Sequence, residues 1–167
     1  MARHEETYQL LIDMREDIID CYREVAPDCL LQKTAWKKIQ LHPAKRFYVT
    51  PKQVYQKINY WMNGRPEEID NMKRPLRRKM YYDLIKVVLE ISQKPENVGK
   101  SLYKLCEIAV RQPAPQFYLS KTQILIIFSK YINGVFSEDG RDLVNANRVM
   151  IYKRMQREKL NTPSPDK

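Results

Sequence analysis

Residues 50–64 read TPKQVYQKINYWMNG, and residues 120–134 read SKTQILIIFSKYING. The second stretch decides the fold class. Taken alone, its apolar run Ile124–Phe128 is the pattern of a buried strand. Its ends argue for a helix. Ser120 is followed three residues later by Gln123, the spacing of a capping box, in which the hydroxyl and the amide satisfy each other's backbone N–H groups. Asn133-Gly134 is a helix stop, because glycine takes the left-handed conformation there at low cost. Residues 50–64 carry the same signals more strongly: Thr50 at the N-cap, Pro51 at the first helical position, Gln53 three residues after the cap, and Asn63-Gly64 at the end. The intervening Val54-Tyr55-Gln56-Lys57-Ile58 is too polar for a buried strand. Both stretches are predicted to be helices, the second largely buried.

The two stretches belong to a longer internal match. At an offset of 70, residues 42–84 overlay 112–154 with 11 identities in 43 ungapped positions, where random pairing yields roughly 2–3. The identities include Pro43/Pro113, Ala44/Ala114, Phe47/Phe117, Tyr48/Tyr118, Gln53/Gln123 and Gly64/Gly134. With four residues gapped the match extends upstream, so that Asp17-Ile18-Ile19 faces Asp83-Leu84-Ile85 and Glu24 faces Glu90. Such self-similarity marks a duplicated structural unit. Between the helices, Arg46-Phe47-Tyr48-Val49 and Gln116-Phe117-Tyr118-Leu119 read as extended. They either pair across a pseudo-two-fold axis or act as loops whose aromatic rings pin the helices. Pinning is favoured, since a lone two-stranded ribbon is marginal.

The rest of the chain reads as helix. Leu11, Met14, Ile18, Cys21, Tyr22 and Val25 keep a 3–4 spacing over residues 5–25, with Asp13, Asp17, Asp20 and Glu24 as an acidic stripe opposite. A second helix is expected near 30–41, with Leu31, Ala35 and Ile39 inward, stopped by His42-Pro43. A helix near 75–92 starts at Pro75 and turns Met80, Leu84, Val88 and Ile91 inward and Lys79, Asp83, Lys86 and Glu90 outward. A turn at 94–97 and helices near 98–111 and 145–159 complete the pattern. The expected fold is all-α: one domain over 1–160, built from two tandem copies of about 70 residues with six or seven helices and one shared core. Copy one covers about 5–84, copy two about 79–158, and 161–167 form a disordered tail.

Composition bounds the function. Of 167 residues, 43% are hydrophobic and 30% charged, and only four are glycine, which excludes glycine-rich phosphate loops and a turn-rich β protein. The longest apolar run has five residues, and the N-terminal Met1-Ala2-Arg3-His4-Glu5-Glu6 lacks the apolar core of a signal peptide. A location in the cytoplasm, away from membranes, is expected. Cys21, Cys29 and Cys106 contain no Cys-x-x-Cys pair, and His4 and His42 are the only histidines. No metal and no cofactor is therefore expected, and the thiols read as reduced. Only His42 offers a base for a catalytic thiol, and no spacing points to it. Nucleotide-loop, serine-hydrolase and zinc-protease motifs are missing, so an enzyme is not expected.

Charge is unevenly spread. The chain carries +10 overall, from 30 basic and 20 acidic side chains. Residues 1–28 hold 8 acids and 3 bases, leaving 12 acids and 27 bases for the remainder. No acid occurs between Cys29 and Pro66. Such a field attracts phosphate backbones or acidic protein surfaces. In copy one, Lys33, Lys37, Lys38, Lys45, Arg46, Lys52 and Lys57 interleave with aromatic residues, the composition of RNA and single-strand binding surfaces. Phe47 and Tyr48 recur in the less basic copy two and are assigned to packing, which leaves Trp36 and Tyr55 as the copy-specific aromatics. Lys73, Arg74, Arg77, Arg78 and Lys79 crowd a helix start, where the macrodipole disfavours cations by a few tenths to about 1 kcal/mol each. An anionic partner would offset that cost. Arg78 is matched by Arg148 and has a packing alternative. Residues 33–62 make a poor helix-turn-helix, because the nine-residue connection His42–Thr50 exceeds the usual three or four. The leading expectation is a non-enzymatic protein that binds nucleic acid through phosphate contacts. The alternative is a structural adaptor in a larger assembly, using its acidic first helix and basic faces to dock on an acidic protein surface or on another copy of itself.

Overall fold

The computed structural model describes residues 2–25, 35–132 and 157. It is all-α over these residues. The helices are α1 (Ala2–Val25), α2 (Ala35–Leu41), α3 (Pro51–Met62), α4 (Glu67–Asp70), α5 (Pro75–Ser92), α6 (Leu102–Val110) and α7 (Lys121–Ile132), with a 3-10 turn at Pro95–Asn97. The expected residues 30–34 of the second helix, the helix near 145–159, the Asn133-Gly134 stop, Cys29 and Lys33 lie outside the described residues. Among the described residues no helix is long and apolar enough to cross a membrane.

The capping boxes form as the sequence predicts. Thr50 Oγ1 accepts from the Gln53 amide at 3.2 Å, and Gln53 Oε1 accepts from the Thr50 amide at 3.3 Å. The same exchange at Ser120 and Gln123 spans 3.3 and 3.0 Å. The run Ile124–Phe128 is helical, with Ile124, Ile127 and Phe128 buried and Leu125 and Ile126 facing outward. After α3, Gly64 takes φ +75°, the left-handed stop that its position requires. α4 has no counterpart in the sequence reading. Four residues are too short to show periodicity, although Ile69 anchors it in the core. α6 starts at Leu102 rather than near 98, because Ser101 supplies the N-cap by accepting from the Lys104 amide.

The two extended segments meet at the centre. Ala44 and Ala114 form one antiparallel bridge, with both N–H···O bonds made at 2.9 and 3.0 Å. The pairing stops there, and no strand develops among the described residues. The aromatic rings carry the contact onward. Phe47 stacks on Tyr118 at 6.0 Å, and Tyr48 stacks on Phe117 at 6.2 Å. Of the two alternatives, pinning describes the segments better: they share a single bridge, and the rings make the rest of the contact. The helices follow the same exchange. α1 packs on α2 and α5 on α6, while α2 reaches across to α7 and α6 to α3.

Two carboxylates anchor this centre, and here the sequence reading needs correction. Asp17, assigned to an exposed acidic stripe, is only 3% exposed. It accepts from the Tyr48 hydroxyl at 2.6 Å and from the Lys45 amide at 2.9 Å. Asp83, assigned to the outer face of α5, is half-buried and accepts from the Tyr118 hydroxyl at 2.6 Å. A carboxylate with such donors is tolerated inside a fold, and periodicity cannot foresee the donors. Ile18, Cys21 and Tyr22 are buried on α1 as expected, whereas Leu11, expected inward, is 36% exposed, and Ile12 and Ile19 are buried as well. Tyr118 adopts φ +58°, a left-handed conformation that costs a non-glycine residue about 1–2 kcal/mol. Its hydrogen bond to a carboxylate contributes about 1.5–3 kcal/mol, enough to hold it there.

The two anchors are unequal, and stability should report it. Position 115 is Pro, which has no N–H to match the Lys45 amide. Asp17→Ala orphans the Tyr48 hydroxyl and the Lys45 amide, and releases the weaker Cys21 thiol donor, and should cost about 2–4 kcal/mol, whereas Asp83→Ala orphans one hydroxyl and should cost about 1–2 kcal/mol. Urea unfolding of the two variants checks this, and equal losses would contradict the assignment.

Candidate functional site

The sequence places five cations at 73–79, and the fold separates their roles. Arg74 is the N-cap residue of α5, with extended backbone and no side-chain cap. Its carbonyl accepts from the amides of Arg77 and Arg78, both at 3.1 Å. Arg78 turns back, and its Nη1 donates to the Met72 carbonyl at 2.6 Å, which fixes the loop before the helix. Arg78 is therefore a structural residue. Arg77 lies over the Tyr81 ring at 5.8 Å. Lys73, Arg74 and Lys79 are exposed and ion-pair with no carboxylate among the described residues.

Lys73, Arg74 and Arg77 border a cavity of about 360 Å³ between the start of α5 and the start of α7. Across from them stand Ser120, Thr122 and Gln123, and Met14, Leu76, Tyr48, Phe117 and Leu119 supply apolar wall. The Ser120 oxygen accepts from the Gln123 amide and keeps its O–H to donate, and the Gln123 side chain, accepting through Oε1, keeps its NH₂. Three cations and several neutral donors face a space whose lining contains no acid. Chemically, that arrangement suits an anion.

A second cavity, about 240 Å³, lies at the corresponding junction of α1 with α3. It is lined by Glu6, Gln9, Leu10, Asp13, Arg46, Pro51, Val110 and Arg111. Burial pushes the Arg46 guanidinium below its ordinary pKa, while Tyr48, Asp13 and Glu6 act to keep it charged. Here the protein supplies the counter-charges itself.

The other sequence-nominated residues scatter. Lys37, Lys38 and Lys52 are exposed. Trp36 is half-buried beneath two ammonium groups, Lys121 at 4.9 Å and Lys37 at 5.6 Å from its ring centroid. That places a cation–aromatic cluster at the α2–α7 contact. Lys45 pairs with Asp20 at 3.3 Å. Lys57 donates to the Glu68 carbonyl at 3.0 Å and ties α3 to α4. Tyr55 packs against Tyr103 with centroids 5.7 Å apart, a packing contact between α3 and α6. Ser120, Thr122 and Gln123 escaped the sequence reading as site residues, because the cations at 73–77 that line the cavity with them lie more than forty residues away in the chain. The repeated cap was the available signal.

The fold also brings Cys21 to His42, with Sγ 3.3 Å from Nδ1. This pair does not make a nucleophile. His42 Nδ1 is 2.7 Å from the Pro43 carbonyl, which can only accept, so Nδ1 carries the proton and has no lone pair for the thiol. The thiol instead donates to Asp17 Oδ1. Burial first, then the charges of Asp17, Glu24 and Asp20 and the hydrogen bond to Asp17, push the Cys21 thiol up to about 12. Burial alone raises Cys106 to about 12. Among the described residues no group of three histidine, cysteine or acidic side chains is placed to hold a metal ion. Compared with known proteins, the chain matches no family model, and no curated protein or solved structure matches it significantly.

The raised thiols have two measurable consequences. At pH 8, native Cys21 should react with iodoacetamide on the order of a thousandfold more slowly than in urea, because the thiolate is the nucleophile. Asp17→Asn removes a charge that holds the proton on, so it should speed native alkylation, followed site by site by mass spectrometry. The pH dependence of folding has a definite sign. A group with raised folded pKa supports stability below its unfolded value and loses that support as pH rises. From pH 9, the ordinary thiol value, stability should therefore fall toward pH 12. Tyr48 and Tyr118, raised by burial and by their carboxylate bonds, act in the same direction above pH 10. Urea midpoints from pH 8 to 11 check this, and flat midpoints would refute it.

Proposed function

We propose that the protein is a non-enzymatic binder of nucleic acid that grips its ligand mainly through phosphate contacts, on a scaffold of two tandem helical copies. The observation that carries the functional reading is the convergence of Lys73, Arg74 and Arg77 on one cavity without an acid in its lining. Isolated surface lysines are ordinary solubilising charge, but three cations around one concavity with no acid in its lining favour an anion there. Lys37 and Lys121 on Trp36 extend the cationic surface along α7. The tandem reading is supported by the matched capping boxes, the crossed ring pairs and the Asp17–Tyr48 and Asp83–Tyr118 bonds, which join residues aligned in the sequence. The non-enzymatic reading draws on the protonated, acid-flanked Cys21.

The adaptor alternative relied on a free acidic first helix. Asp17 is spent inside the fold and Asp20 pairs with Lys45 and Arg23, so that helix has less charge to offer a partner. Association of the chain without nucleic acid, seen by light scattering, would favour the adaptor.

The decisive variant changes Lys73, Arg74 and Arg77 together to Glu. Arg78 is excluded because it holds the loop before α5. The fold should survive, since anions suit a helix start. Binding of single-stranded oligonucleotides should be lost at moderate salt. In the wild type, log K should fall steeply with log salt, and single Gln substitutions should each flatten the slope by about 0.7. Unchanged binding by the triple variant, with native circular dichroism, would place the contact elsewhere.

A further inference from the structure

The two cavities stand at corresponding places. One joins the start of α1 to the start of α3, the other the start of α5 to the start of α7. Leu10 in the first matches Leu76 in the second at the same four-residue-gapped register that pairs Asp17 with Asp83. Their charges differ. Glu6 and Asp13 face Arg46 and Arg111 in the first, whereas the second has only cations. One cavity is closed electrostatically by the chain itself. The other has the cations and lacks the anion, and at about 360 Å³ it falls in the range of small-ligand pockets.

From this contrast we infer that the α5–α7 cavity takes a terminal phosphomonoester, the phosphorylated end of a nucleic-acid strand, with the terminal nucleotide against the apolar wall. The inference rests on the nucleic-acid reading and narrows it. An internal phosphodiester carries one charge and continues in both directions, so it suits an open groove. A terminal monoester carries about −1.5 to −2 near neutral pH and offers three free oxygens. Lys73, Arg74 and Arg77 match that charge, and the Ser120 and Thr122 hydroxyls with the Gln123 amide stand opposite as neutral donors. Arginine suits the role because its planar fork can give two parallel bonds to one phosphate. The wall of Met14, Leu76 and Leu119 is apolar and takes the sugar and base without reading sequence.

The test uses the full chain and one labelled eight-nucleotide DNA with a 5′-phosphate, a 3′-phosphate or neither, with AMP as the free-nucleotide arm. Fluorescence anisotropy at 50 and 200 mM salt should show a strand with a terminal phosphate binding about tenfold or more tighter than the unphosphorylated strand, a difference that Arg–phosphate bonds can supply. R74Q/R77Q should erase the preference, while K86Q/K94Q, exposed and outside the cavity lining, should keep it. Equal affinity for phosphorylated and unphosphorylated strands overturns the terminal-phosphate assignment and leaves the general reading standing. AMP binding as tightly as the phosphorylated strand makes the ligand a free nucleotide and overturns the strand end. No binding of any strand at 50 mM salt overturns this inference together with the reading beneath it.

Discussion

Asp17 sits almost out of solvent, holding the Tyr48 hydroxyl and the Lys45 amide at the same time. The rest of the molecule depends on that arrangement. It fixes the segment 44–49 against α1, which sets where the Tyr48 ring stacks on Phe117 and the Phe47 ring on Tyr118. Those rings bring the second segment to the first, and α3 and α7 leave from the ends of the two segments. A buried carboxylate is costly unless its lone pairs are filled. Once filled, it permits one geometry and rejects neighbouring ones, which a ring stack without directional bonds does less well.

The second half of the centre meets the same demand with fewer means. Pro115 cannot donate to Asp83, so one hydroxyl bond and a left-handed Tyr118 do the work shared by two donors on the other side. The two segments are thus alike in ring packing and differ in polar detail. The two cavities differ as well: acids stand with Arg46 and Arg111 in the lining of one, and the lining of the other, with Lys73, Arg74 and Arg77, has none.

Groups that hold the centre and groups that face the cavity are therefore chemically distinct. The centre uses carboxylates as acceptors, and phenols and a thiol whose burial holds their protons on more tightly. The cavity is bordered by lysine and arginine side chains with no acid in the lining. Arg78 marks the boundary. It belongs to the same basic run in sequence, yet its guanidinium is spent on the Met72 carbonyl.

Much of the helix pattern follows from the sequence by itself, because caps, stops and 3–4 periodicity act within a few residues. Thr50 with Gln53, Ser120 with Gln123, and Pro75 mark starts that need no tertiary contact to recognise. The recurrence of Pro-Ala-x-x-Phe-Tyr was likewise visible, and so was the basic run at 73–79. Tertiary structure alone decided the inward turn of Asp17, since a polar residue reads as exposed until its donors arrive from residues 45 and 48. It also decided which cations converge. Lys73, Arg74 and Arg77 meet Ser120, Thr122 and Gln123 because the ring stack brings α7 beside the start of α5. Charge in a sequence carries no direction, and direction is imposed by the packing of apolar and aromatic side chains that have nothing to do with the charge.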